Sequence, residues 1–138
     1  MQLCRDLHNE NGMYNISEDK VRAMMHRAFD RKGGILGVIG EPGKIEAMIY
    51  MLVTSPWYSE EANLEELFAF VAKKYRKSTN AVELMKFAKW CVDQSKMPLF
   101  MGIISNERTQ GKIRLYQRQL GTPVGAFFMY KANGHVNV

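Results

Sequence analysis

Phe70-Val71-Ala72-Lys73-Lys74-Tyr75-Arg76-Lys77-Ser78-Thr79-Asn80-Ala81 is the stretch whose reading decides the fold. It begins inside the apolar run Leu67-Phe68-Ala69-Phe70-Val71, which is hydrophobic on both faces, as a central strand is. It then turns through a basic, hydroxyl-bearing segment. It ends on a predicted helix, Asn80 to Gln94, whose apolar stripe is Ala81, Leu84, Met85, Ala88, Cys91 and Val92. A strand leading through such a turn into a helix is an anion site in physical terms. The first N–H groups of a helix have no internal partners, and the helix dipole places partial positive charge on them. Arg76 and Lys77 add full charges. An ordinary N-cap at Ser78 or Thr79, with solvated lysines beside it, explains the same pattern.

Upstream, Ser17 caps a helix predicted from Glu18 to Arg31, taken as the first ordered element, with Val21, Met24, Met25, Ala28 and Phe29 on its buried face. Gly33-Gly34 ends it. Ile35 to Ile39, the turn Gly40-Glu41-Pro42-Gly43 and Lys44 to Thr54 read as a hairpin. Ser55 to Asn63 connects it to the central strand, Glu66 to Ala72. Trp57 and Tyr58 in that connection either line an acceptor surface or pin the loop to the core. Downstream, Leu99 to Ile104 is a strand, Gln110 to Leu120 a helix closed by Gly121, and Pro123 to Tyr130 a final strand. The alternation implies an α/β chain with a right-handed parallel crossover in a mixed sheet.

The 138 residues make one domain, 46% of them apolar, with no run long enough to span a membrane. The first residues lack the basic and apolar regions of a secretory signal. Cys4 and Cys91 lack metal or disulfide-motif spacing and read as packing residues. The expectation is a reduced, cytoplasmic, metal-free protein. Lys and Arg number 19 against 14 Asp and Glu, a net charge of +5, which suits a polyanionic partner. The densest basic cluster, Lys73, Lys74, Arg76 and Lys77, falls within the quoted stretch. Nucleic acid is the weaker candidate, because only Tyr75 among the aromatics is interleaved with that cluster.

The quoted stretch resembles the cofactor motif of the GNAT superfamily of N-acetyltransferases, a strand Val followed by R/Q-x-x-G-x-G/A. Val71 and Arg76 have the motif's spacing, Ala81 fits its last position, and Thr79 stands where Gly is usual. Leu115-Tyr116-Gln117-Arg118-Gln119-Leu120-Gly121 resembles the family's last helix, with Thr122 in place of the aromatic that often follows. Asn106 sits where the family often has a cofactor-binding Asn. The element order also agrees, so the resemblance spans nearly the whole chain. The small size further resembles GNAT-like proteins carried by bacteriophages.

The resemblance implies an acyl-CoA N-acyltransferase fold over residues 1–138, a mixed central sheet with splayed middle strands flanked by helices. It implies acetyl-CoA as cofactor, with pantetheine between the strands Glu66–Ala72 and Leu99–Ile104. Phe70, Val71 and Lys73 would border the pantetheine, a backbone N–H near Val71 would polarise the thioester carbonyl, and Arg76, Lys77, Ser78, Thr79, Asn80 and Ala81 would hold the pyrophosphate. The acceptor is a primary amine of a small molecule or a protein, attacking directly. At pH 7 such an amine is neutral only about once in 2,500 molecules, so a base is needed. Glu65, six residues before Val71 and on its strand face by period-2 alternation, is the first candidate, and Glu46 the second. Tyr116 matches the family's general acid for the thiolate. The alternative is a catalytically inactive GNAT-fold module. A homodimer through the final strand is a further expectation.

Overall fold

The structure is a computed structural model that describes residues 1–105, 108–131 and 134–135. Its elements in order are α1 (Gln2–Asn11), α2 (Glu18–Phe29), β1 (Gly34–Glu41), β2 (Lys44–Thr54), β3 (Asn63–Val71), a 3₁₀ turn (Lys73–Tyr75), α3 (Asn80–Ser95), β4 (Leu99–Phe100), α4 (Thr109–Leu120), β5 (Tyr130–Lys131) and β6 (Gly134–His135). β1 to β4 form a sheet in that order, antiparallel except for the parallel β3–β4 pair, and β5 pairs with β6 separately. The mixed α/β architecture agrees with the expectation.

Helices cover both faces of the sheet, giving two cores. On one face Ala47, Ile49, Met51 and Leu64 pack against Leu84, Met85, Ala88 and Cys91 of α3, with Ala69, Val71 and Tyr116 alongside. On the other, Met48 and Phe70 pack against Leu3 and Cys4 of α1, with Met25 of α2 and Phe68. Both thiols are buried, and burial pushes them up from their ordinary value. They are packing residues.

Three expectations need correction. α1 precedes the helix taken as first. Its composition is polar and no side chain caps its start. Burial of Leu3 and Cys4 and the Arg5–Glu18 ion pair at 2.6 Å hold it, and local sequence carries neither. The strand expected over Leu99–Ile104 is only Leu99–Phe100, because β3 and β4 diverge after two paired positions, Leu64↔Leu99 and Glu65↔Phe100. The strand expected over Pro123–Tyr130 is absent apart from Tyr130, since so short a β4 offers little edge to pair with. Val124, Phe127 and Phe128 of that segment are more than 80% exposed.

The divergence follows from a β-bulge. Tyr50 pairs with Phe68 but Met51 pairs with Glu66, leaving Leu67 as an extra residue in β3. Such a residue bends its strand and increases the local twist. It also shifts the side-chain phase. Leu64 and Glu66 share a face with Ala69 and Val71, while Glu65, Phe68 and Phe70 lie on the other.

Gly37 marks a close approach of β1 to α3, because a Cβ there would lie 2.6 Å from the Phe87 ring. Gly37→Ala is therefore expected to lower unfolding free energy by about 1–3 kcal/mol. Urea denaturation checks it, and an unchanged midpoint would contradict the packing described.

Candidate functional site

The candidate site is the wedge where β3 and β4 part, together with the turn into α3. The turn is built from its own backbone. Ser78 N–H donates to Tyr75 O at 3.0 Å, Asn80 N–H to Ser78 Oγ at 3.2 Å, and Glu83 N–H to Thr79 O at 3.0 Å. Among the described residues, the amides of Lys77, Thr79, Ala81 and Val82 donate to no acceptor. Four orphan donors at the start of a sixteen-residue helix form a cradle for an anion. Lys73, Lys74 and Lys77 beside them are exposed.

Thr79, in the position where the motif has Gly, has φ −83° and ψ 3°. Any residue adopts that conformation, so the replacement causes no backbone strain. It adds a Cβ and a hydroxyl next to the free amides.

Arg76 does not point to this cradle. Its guanidinium pairs with Glu10 of α1, its Nε donates to Val71 O at 3.2 Å, and it lies 5.4 Å from the Phe70 ring centroid. The charge expected from its side chain on a phosphate is turned inward. Asn80 is also buried, with Nδ2 donating to Glu46 Oε1 at 3.3 Å. Glu46 thereby anchors the start of α3, and its backbone O accepts from Ala72 N–H at 2.8 Å. Phe70 is a core residue, Val71 ends β3, and Lys73 opens the 3₁₀ turn. Asn106 lies outside the described residues.

The expectation that Glu65 shares Val71's face is overturned by the bulge. Glu65 is exposed on the opposite face, where Thr54 Oγ1 donates to it at 3.3 Å. Glu66 takes its place on the Val71 face. Gly102 N–H, on the far wall of the wedge, donates to Glu66 Oε2 at 3.3 Å. Burial pushes the Glu66 carboxyl up from 4.5 to about 7, only partly opposed by that hydrogen bond. Tyr116 of α4 packs against the same core, and its phenol is raised by burial and by the Glu66 charge, so it keeps its proton. An acid that titrates near neutrality thus stands at the wedge, close enough to the protonated phenol on the same core face for its charge to raise it. A group with a pKa near the working pH is suited to moving protons.

Sequence reasoning missed Glu66 because the apolar run Leu67–Val71 hides the change of phase. The available signal was Leu64 and Glu66 in one phase ahead of that run. Trp57 and Tyr58 are 96% and 74% exposed and meet edge to face with ring centroids 5.5 Å apart. They do not pin their loop to the core.

No protein-family model matches the chain, and no curated protein matches it by sequence. Solved structures match it by shape. An aminoglycoside acetyltransferase, meta-AAC0020, from an uncultured soil metagenomic sample has TM-score 0.70 and 12% identity over 94% of this chain and 86% of its own. A Trypanosoma brucei acetyltransferase has TM-score 0.64 and 12% identity, covering 92% of this chain and 87% of its own. The aminoglycoside 6'-N-acetyltransferase AAC(6')-IG from Acinetobacter haemolyticus has TM-score 0.60 and 16% identity over 86% and 83%. The chain shares the fold of these acetyltransferases.

Glu66 sets a pH dependence whose sign is fixed. Its folded pKa of about 7 lies above the ordinary 4.5, so the folded chain holds a proton that the unfolded chain has lost between those values. Its contribution to stability is complete below pH 4.5 and is lost as pH rises through 7. Glu66→Gln is expected to gain stability over the parent between pH 5 and pH 8, on the order of 1–3 kcal/mol. Thermal melts at both pH values measure it, and a difference that does not change with pH would contradict the burial assigned to Glu66.

Proposed function

We propose that this chain is an acetyl-CoA-dependent N-acetyltransferase acting on a primary amine. The observation that carries the reading is the divergence of β3 and β4, bridged by Glu66 and Gly102, followed along the chain by a turn of orphan amides and flanked on the Glu66 face by the core that holds Tyr116. The fold it shares with acetyltransferases supports acetyl transfer as the reaction class.

In this reading the amides of Lys77, Thr79, Ala81 and Val82 hold the pyrophosphate, with Lys77, Ser78 and Thr79 exposed beside it. Arg76 contributes by shaping the turn. Pantetheine lies against the outer edge of β3 beyond Glu65, where β4 no longer occupies the strand's hydrogen-bonding groups. The extra residue at Leu67 turns backbone groups into the wedge, where an N–H can stabilise the developing oxyanion.

Ionised Glu66 accepts a proton from the acceptor ammonium, which frees the nitrogen lone pair. The nitrogen–carbon bond forms and the carbon–sulfur bond breaks. Tyr116 gives its proton to the departing thiolate, whose ordinary pKa is near 8.5 taking Cys as the guide. The nitrogen, cationic once its bond to carbon has formed, loses a second proton, which restores the Tyr116 phenol, and the proton on Glu66 leaves to water. Glu65, exposed on the opposite face, has no part in this sequence.

Several matched proteins are named as aminoglycoside acetyltransferases, which makes a small polyamine-bearing molecule the first acceptor class to try. The inactive-module alternative rests on Thr79 at the turn and on Thr122 in place of the usual aromatic, and it predicts no turnover.

Acetyl-CoA at 100 times its dissociation constant is expected to stabilise the chain by about 2.7 kcal/mol, read as a rise in thermal midpoint. No rise at millimolar concentration would sink the reading. Tyr116→Phe is then expected to lower turnover across an amine panel about 100-fold with little change in acetyl-CoA binding. Binding without turnover in the parent would favour the inactive module.

A further inference from the structure

We propose that the end of α1 is a clasp that sets the width of the β3–β4 wedge, with Glu10 and Asn11 as positioning residues for the cofactor; this rests on reading the wedge as an acyl-CoA site. The ladder between β3 and β4 stops at Glu65↔Phe100, so the sheet does not fix how far apart the strands lie beyond it. Glu66 and Gly102 bridge the gap near its narrow end. Consecutive residues of α1 bridge it at the wide end.

Glu10 reaches the β3 wall. Its carboxylate pairs with the Arg76 guanidinium, and the two side chains are only 14% and 17% exposed. Arg76 passes the constraint on, since its Nε holds Val71 O at 3.2 Å and its plane lies over the Phe70 ring. Val71 ends β3, and the turn with the four orphan amides follows within a few residues. A rigid planar guanidinium held at both ends fixes direction as well as distance.

Asn11 reaches the β4 wall. Its Oδ1 accepts from Ser105 Oγ at 3.2 Å. Ser105 is joined to α4 as well, because Lys112 Nζ donates to its Oγ at 2.8 Å and Thr109 Oγ1 donates to its O at 3.1 Å. Lys112 is one helical turn before Tyr116. One end of one helix thereby ties together the anion turn, the far wall of the wedge and the helix carrying the phenol. None of these α1 side chains has to touch the cofactor for this effect.

The test uses the full chain as Glu10→Ala, Asn11→Ala and the double variant Glu10→Ala/Arg76→Gln. Without any cofactor, amide hydrogen exchange over residues 71–79 and 99–105 is expected to quicken roughly tenfold in each single variant, while β2 and the middle of α3 exchange as in the parent. In steady-state assays acetyl-CoA KM is expected to rise roughly tenfold to a hundredfold, with kcat at saturation within about twofold of the parent. The double variant removes the unpaired buried charge that Glu10→Ala leaves. It is expected to recover thermal stability without recovering KM. Recovery of both would reduce the pair to charge neutralisation and overturn the proposal. Parent-like exchange in the single variants would overturn it as well. A parent that neither binds nor uses acetyl-CoA counts against the functional reading, and the clasp is then judged by exchange.

Discussion

One extra residue in β3 controls the geometry of the site. Leu67 has no partner on β2, so the strand bends there and the parallel ladder with β4 ends almost as soon as it begins. The gap that opens is lined by backbone groups that would otherwise have been paired. A paired strand at that point would have left no space between the strands and no free edge to bind an extended ligand. The same residue reverses the alternation of side chains and turns Glu66 toward the core carrying Tyr116. Cleft, free edge and half-buried carboxyl therefore share one cause.

Burying that carboxyl works against the fold. A carboxyl group taken out of water disfavours its own ionised form, and here a single amide hydrogen bond from Gly102 opposes the shift. An apolar residue at position 66 would pack beside Met51 and Leu64 without such a penalty. A stability cost retained in a cleft is characteristic of groups that move protons. Tyr116 is disfavoured as a phenolate by the same surroundings, and the two groups hold their protons at different pH.

The turn into α3 divides work between side chain and backbone. The largest fixed charge in the motif, Arg76, faces inward and builds, while plain amides face outward and are free to bind. An inward guanidinium gives the turn a rigid support that solvated lysines cannot supply. Exposed Lys73, Lys74 and Lys77 supply a diffuse positive field that salt screens.

Much of this was open to reading in the residues alone. Helix α2, the β1–β2 hairpin, β3, α3 and α4 are local patterns of 3.6- or 2-residue period closed by Ser17, Gly-rich turns and Gly121, and their boundaries fall within a few residues of those expected. The resemblance carried by Val71, Arg76, Ala81 and Tyr116 pointed to the fold. Tertiary structure alone decided the rest. A bulge depends on the partner strand's register, so five consecutive apolar residues concealed which glutamate faces the cleft. The length of β4 depends on where β3 bends, and the place of α1 depends on burial and ion pairs with distant residues. The direction of Arg76 depended on Glu10, 66 residues earlier in the chain. Sequence determined the elements and their order, because those follow from local periodicity. Only the folded chain decided which charged groups face the wedge, because that follows from contacts between elements far apart in sequence.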